Sequence, residues 1–366
     1  MSSDCFAPVR NRLGFGCMRF PVTADGKIDE TEVTRMVDRF IEKGFNYFDT
    51  AHGYLDGRSE TTLRHCLTSR HDRSAYLLAD KLSNGFFEKA EDIIPLFDRQ
   101  LERCGVSYFD YYLMHALNAR TYSKYVSADA FRICAGLREE GKIRHLGMSF
   151  HDSADVLDKI LDEQPGIEFV QLQINYLDWE SETVQARKCY ETCQKHGKKV
   201  IVMEPVKGGT LSQLLPEADS VFDRLEGRMS NAAYALRFVM GLESVSVILS
   251  GMSTPAQIEE NTDLFLSSGP LSDEEMKAVD EVRDITLRHG AIACTACRYC
   301  TEVCPVGMPV PEIFSLMNSG KEEGYGRITE KTKAGDCLHC GKCEAACPQH
   351  LPVRRYLDQA AFRFEK

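Results

Sequence analysis

Between about residues 9 and 266, short apolar runs alternate with amphipathic stretches of helical period. This alternation limits the fold more than any other feature of the chain. The apolar runs fall at 13–17, 45–48, 75–79, 111–114, 143–148, 169–172, 200–203 and 245–249. Helices are expected between them. Asp29 followed by Glu32 marks a capped helix start, Val33, Met36, Val37, Phe40 and Ile41 share one face, and Gly44 stops the helix. Ile94, Phe97, Leu101 and Cys104 mark the face of another. Alternating strands and helices imply a parallel sheet. Eight such units over about 250 residues favour a closed (β/α)8 barrel over an open doubly wound sheet. The expected fold class is therefore α/β, a (β/α)8 TIM barrel followed by a small, mainly helical domain.

A helix start at Ser272, Asp273, Glu274 and Glu275 leads to about Arg288, and Gly290 ends that helix. The expected division is a barrel with its terminal helix over 1–288 and a cysteine-rich domain with its tail over 289–366. The latter holds two runs of pattern C-x2-C-x2-C-x3-C-P. The first is Cys294, Cys297, Cys300, Cys304 and Pro305; the second is Cys337, Cys340, Cys343, Cys347 and Pro348. Zinc sites usually pair two C-x2-4-C units, so the third and fourth cysteines and the proline argue against zinc.

The runs resemble those of two-cluster bacterial ferredoxins, in which the fourth cysteine of each run ligates the other [4Fe–4S] cluster. The resemblance implies one cluster on Cys294, Cys297, Cys300 and Cys347. A second would take Cys337, Cys340, Cys343 and Cys304. The stretch 310–317 between the runs reads as helix. It is a long insert for a minimal ferredoxin, so helical and strand-rich arrangements both stay open for the cluster segment. A purely structural role, stapling the tail, is the alternative to electron transfer.

The chain has 366 residues, net charge −11 and fifteen cysteines. The charge argues against a nucleic-acid partner. No apolar run is long enough to span a bilayer, and residues 1–12 lack the apolar core of a signal peptide. So many cysteines point to a reducing compartment, expected to be the cytoplasm. Cys5, Cys17, Cys66, Cys104, Cys134, Cys189 and Cys193 lie outside the runs and are expected to pack as small hydrophobes.

In such a barrel the chemistry sits at the C-terminal ends of the strands. Four polar residues have that address: Asp49 after FNYF, Tyr54 five residues later, Lys81 ending AYLLADK and His115 ending DYYLMH. DTAHGY and this order of residues resemble the aldo-keto reductase family, over nearly all of 13–261. The resemblance implies an oxidoreductase acting on a small carbonyl or alcohol, with Tyr54 as proton donor. Lys81, held by Asp49, is expected to lower the Tyr54 pKa, and His115 to orient the substrate oxygen.

The resemblance implies cofactor contacts at Gly16, Ser149, Gln171 and Met203, with Ser149 and Gln171 on the nicotinamide carboxamide. Phosphates are expected at Lys207 and Gly208 after the seventh strand, and at Ser250 and Gly251 after the eighth, where a helix begins. Gln257, Glu260 and Asn261 resemble the adenosine-binding stretch. Departures from the family are Gly251 and Gln257 where NADPH-selective members carry Lys and Arg, Phe150 where Asn is usual, and Met203 where a tyrosine often stacks on the nicotinamide. These leave NAD(P)H or a flavin as the barrel's cofactor. They also keep open a second reading, an electron-transfer protein or subunit whose barrel binds flavin or serves as a docking scaffold. Either reading allows a redox partner protein. A barrel that has lost catalysis is a third reading, against which the intact tetrad counts. Residues 176–180, with the lone Trp179, are long enough to reach over the barrel mouth.

Overall fold

Eight parallel strands close into a barrel in the computed structural model, which describes residues 4–319 and 323–365. They are β1 (Leu13–Gly16), β2 (Tyr47–Asp49), β3 (Leu77–Ser83), β4 (Phe109–Leu117), β5 (Ile143–Phe150), β6 (Phe169–Gln173), β7 (Lys199–Met203) and β8 (Val245–Ser250). Each pairs with the next, and β8 pairs with β1. By packing, the chain forms two units: Met1–Pro205 with Ala235–Ser272, and Val206–Tyr234 with Asp273–Lys366. A segment after β7 and the helix from Asp273 thus pack with the cysteine-rich unit. Within that unit the helix Asp273–Arg288 packs on the helix Pro216–Phe222, and Arg224 pairs with Glu281 at 2.5 Å.

Strand periodicity sorts the barrel interior into layers, because alternate residues face the same way. Tyr47, Leu77, Ala79, Tyr111, Leu113, Phe169, Ile201, Val247 and Leu249 pack as one apolar cluster. Phe6 closes this layer, stacked on Tyr111 at 5.1 Å and edge-on to Phe169 at 5.3 Å. A Cβ at Gly147 would lie 2.4 Å from the Phe169 ring, so only glycine leaves that ring its place. One step further along each strand the same parity gives Asp49, Lys81, Ser83, His115, Ser149, Gln171 and Met203. An apolar floor therefore carries a polar layer at the strands' C-terminal ends.

The helix Glu30–Glu42 follows the sequence reading: Asp29 accepts from the Glu32 N–H at 3.0 Å, and Val33, Met36, Val37 and Phe40 are buried. The helix Ala90–Cys104 does not. Its buried face is Ile93, Leu96, Phe97, Gln100 and Cys104, while Ile94 is 47% exposed. The reason is Gln100, a polar residue that belongs inside. Its Nε2 donates to Lys81 O at 3.0 Å, and Tyr112 OH donates to its Oε1 at 2.6 Å. The third strand also starts later than expected, because Arg73–Ala75 forms a helical turn.

The second unit is helical, including Tyr299–Glu302, Val310–Ser319, Lys342–Ala346 and Val353–Phe364. Its core gathers Ile292, Met308, Val310, Ile313, Phe314, Leu351, Val353 and Leu357 round the cysteines. This resolves the open choice in favour of helices. No helix among the described residues is long and apolar enough to cross a membrane.

Candidate functional site

At the ends of β2, β3 and β4 the four predicted residues come together. Lys81 Nζ donates to Asp49 Oδ1 at 2.6 Å and to Thr50 O at 2.7 Å, and both side chains are buried. The same ammonium lies 4.9 Å from the centre of the Tyr54 ring. The Tyr54 and His115 rings meet edge-on at 5.9 Å. Tyr54 opens a short turn in which Leu55 and Asp56 both take left-handed backbone conformations. Such strain in non-glycine residues persists only where surrounding structure fixes it. His115 Nδ1 is 2.6 Å from Ser83 Oγ, on the neighbouring strand. Ser83 was not singled out from sequence; its signal is the strand period that places it two residues beyond Lys81.

Burial pushes the Tyr54 phenol well above its ordinary value, and Asp49, Glu204 and Asp80 push the same way. The Lys81 ammonium lies over the ring and donates to Asp49 and the Thr50 carbonyl. Asp49 itself is raised by burial, against the opposing pull of Lys81. Burial, then Lys81 and His151, depresses His115 well below the usual histidine range. The constellation thus offers a protonated phenol beside a neutral imidazole. That pair can give a proton to, and hydrogen-bond, a developing alkoxide.

The residues expected at a nicotinamide divide. Gln171 is buried, its Nε2 is 3.6 Å from Met203 Sδ, and its Oε1 has no partner. An orphaned buried acceptor is costly unless a ligand satisfies it. Ser149 Oγ, beside Gln171 in register, accepts from the Ala116 N–H at 2.7 Å and keeps its own proton to donate. These two groups fit a carboxamide, which offers one N–H2 donor and one carbonyl acceptor. Gly16 ends β1, where a Cβ would lie 3.3 Å from Ser250 O. Asn261 Nδ2 donates to Ser250 Oγ at 3.1 Å, Gln257 Oε1 accepts from the Ser253 N–H at 2.7 Å, and Glu260 is exposed. Sequence reasoning missed Arg19, whose side chain would lie 3.1 Å from a Cβ on Gly251. Lys207 and Gly208 belong to the second unit. Trp179 packs on Tyr190 and Phe238, at 5.7 and 5.8 Å, as a helix-packing residue.

In the second unit the eight cysteines of the two runs ring two cavities. Cys294, Cys297, Cys300 and Cys347 line one of about 320 Å³. Cys304, Cys337, Cys340 and Cys343 line the other, of about 370 Å³. The fourth cysteine of each run has crossed to the other cavity, as the ferredoxin resemblance implied. The backbone repeats as well. Left-handed conformations occur at Ala296, Arg298 and Gly307 in the first half and at His339, Gly341 and His350 in the second. These are equivalent positions relative to the cysteines. Such turns present backbone N–H groups to an anionic centre, and the Ala296 N–H already donates to Cys294 Sγ at 3.4 Å. Among the described residues no group of His, Cys, Asp or Glu could hold a single metal ion; the sulfurs instead surround spaces that suit clusters. Val310 lines both cavities.

The barrel carries these polar side chains at the C-terminal ends of its strands, where such folds place their chemistry. The model of the aldo/keto reductase family matches residues 12–284, and the chain belongs to that family. The model of the 4Fe-4S dicluster domain matches residues 293–351, so the tail is an iron–sulfur domain. An oxidoreductase of Schizosaccharomyces pombe is 30% identical, over 75% of this chain and 90% of its own. L-galactose dehydrogenase of Arabidopsis thaliana is 26% identical, over 68% of this chain and 82% of its own. Among solved structures, the holo form of an aldo-keto reductase from Bacillus halodurans superposes with a TM-score of 0.61 at 25% identity, covering 74% of this chain and 91% of that one. An aldo-keto reductase from Klebsiella pneumoniae in complex with NADPH gives 0.60 at 18% identity, covering 74% and 90%.

Proposed function

We propose that the chain reduces a small aldehyde or ketone, with electrons exchanged through its two [4Fe–4S] clusters with a redox partner protein in the cytoplasm. In functional terms residues 1–288 form the reducing module and 289–366 the electron-transfer module. The observation that carries this reading is the Asp49–Lys81–Tyr54–His115 constellation on the polar layer of the barrel. A nicotinamide would be held by Ser149 and Gln171, and it supplies hydride when bound. Tyr54 gives its proton to the substrate oxygen as the carbon is reduced. The neutral His115 donates from Nε2 to the same oxygen. Lys81 and Asp49 fix the floor beneath the Tyr54 ring. The upward displacement of the Tyr54 phenol favours reduction, because a phenol that keeps its proton at neutral pH is poised to donate rather than accept.

A hydride carries two electrons and a cluster passes one at a time. Linking the two chemistries therefore needs a carrier able to do both, such as a flavin. The second cavity has exposed residues in its lining, Cys340 and the 63% exposed Leu338, where a partner could make contact. Anaerobically prepared holoprotein is the material for the test. Tyr54→Phe is expected to abolish carbonyl reduction and leave the visible iron–sulfur absorbance unchanged. Undiminished reduction by this variant refutes the role of Tyr54. A yellow cofactor released on denaturation would identify a flavin in the barrel.

A further inference from the structure

We infer that Glu60 is a positioning residue for Tyr54: its buried carboxylate gathers His52 and Arg103 and so clamps, from both sides, the turn that carries the phenol. This rests on the reading of Tyr54 as proton donor. Glu60 is wholly buried. A carboxylate taken out of water is costly unless it is paired and hydrogen-bonded. This one has partners on both oxygens. His52 Nδ1 lies 2.9 Å from Glu60 Oε1 and 3.1 Å from Oε2. A carboxylate can only accept, so Nδ1 carries the proton. Arg103 Nε donates to Glu60 Oε2.

The two partners reach the chain on opposite sides of Tyr54. His52 precedes it by two residues, and its ring packs edge-on against Phe86 at 4.7 Å. Arg103, on the helix Ala90–Cys104, also donates from Nη2 to the carbonyl oxygen of Gly57, three residues after Tyr54. Between these two anchors lie Leu55 and Asp56 in left-handed conformations, followed by Gly57 at φ +77. Successive left-handed residues, two of them with a Cβ, persist only under outside restraint. Glu60 supplies it, because it holds both anchors at once.

Glu60 also meets the strand that presents Lys81. Asp80, the preceding residue on β3, is wholly buried, and its Oδ1 accepts from the Lys81 N–H at 2.7 Å. Burial, then the neighbouring Glu60, pushes the Asp80 carboxyl well above the usual carboxylate range. Asp80 therefore keeps its proton, and the charge of the pair stays on Glu60, beside Arg103. One side chain thus joins the Tyr54 turn to the strand whose ammonium lies 4.9 Å from the centre of the Tyr54 ring. A small displacement of a reacting group is costly in rate, so this link bears on the reaction without touching substrate.

The test puts 3-fluorotyrosine in place of Tyr54 in the full-length holoprotein and reads its fluorine resonance. Kinetics are measured beside it on the unlabelled protein. Glu60→Gln keeps the shape and removes the charge. It is expected to shift or split the fluorine line, and to lower kcat for carbonyl reduction about tenfold to a hundredfold with NADPH affinity unchanged. A Glu60 that only stabilises the fold would lower the melting temperature and leave the native line and kcat as they are; that result overturns the inference. Should Glu60→Gln not fold, Arg103→Met frees the Gly57 carbonyl from the part-exposed side of the turn. The same shift and fall are expected there, and an unchanged line overturns the inference as well. Retained reduction in Tyr54→Phe refutes instead the reading of Tyr54, and the fluorine line still decides whether Glu60 holds that ring.

Discussion

Ser83 and His115 are register partners across β3 and β4, and Ser83 Oγ lies 2.6 Å from His115 Nδ1. Burial keeps the imidazole neutral, so one ring nitrogen carries the proton and the other accepts. A serine hydroxyl donating to Nδ1 leaves the proton on Nε2. That is the tautomer needed to donate to a substrate oxygen. Ser83→Ala removes the bias and one hydrogen bond, worth about 1 kcal/mol. We expect kcat/KM for carbonyl reduction to fall by roughly fivefold to tenfold. Nitrogen NMR of His115 should show a mixture of tautomers; an unchanged Nε2–H form would show that Ser83 does not set it.

The depressed pKa of His115 makes the fold sensitive to mild acid. An unfolded histidine titrates near 6.5. Below that pH the unfolded chain binds a proton that the buried His115 refuses. Stability therefore falls as pH drops through about 6.5 toward the lowered native value, by up to about 1.4 kcal/mol per pH unit. Denaturant unfolding of the parent and of His115→Gln, at pH 7.5 and 5.5, measures this. The parent should lose more stability between the two than the variant does. Equal losses would assign the acid sensitivity elsewhere.

The strand ends were legible in sequence because the barrel is built from local periods. Asp49, Lys81 and His115 each close an apolar run, and parity then puts them in one layer. The cysteines that line the two cavities were legible because their spacing is a property of the chain itself, down to the crossing of Cys304 and Cys347. What sequence did not yield depends on long-range packing. Gln100 looks like a solvent residue until Lys81 O and Tyr112 OH are placed beside it. Ser83 gains meaning only from the pairing of β3 with β4. Lys207 and Gly208 read as a phosphate loop, since glycines and a lysine after a strand suit one; the close approach of Gly208 to Thr295 could not be read there, because Thr295 lies far along the chain. The upward push of burial on the Tyr54 phenol is also a product of packing, since it depends on what encloses the ring.

Gln171 gives a prediction with two signs. Its Oε1 is buried without a partner, a loss of about 1–3 kcal/mol in the empty barrel. Gln171→Leu should therefore leave the cofactor-free protein as stable as the parent or more so. If this oxygen receives the carboxamide N–H of a nicotinamide, the same substitution should weaken NADH or NADPH binding about fivefold to thirtyfold. Thermal melting and fluorescence titration read the two effects. Lowered stability with unchanged affinity would make Gln171 an ordinary barrel residue.

Gly208 and Gly209 separate strain from contact. Both have positive φ, +63 and +102, so alanine at either position costs about 1–2 kcal/mol of backbone strain. At Gly209 the added Cβ would meet only Ser212 Oγ, at 3.9 Å. At Gly208 it would lie 2.1 Å from the Thr295 carbonyl oxygen, and that backbone must move. Overpacking of this kind adds about 1–3 kcal/mol. Because Thr295 lies between Cys294 and Cys297, the movement falls on the first cluster's ligands. Gly208→Ala should lose visible absorbance to an iron chelator faster than Gly209→Ala, with about half the iron released in the fast phase because one of two clusters is affected. Equal bleaching rates for the two variants would mean that the loop after β7 does not support the first cluster.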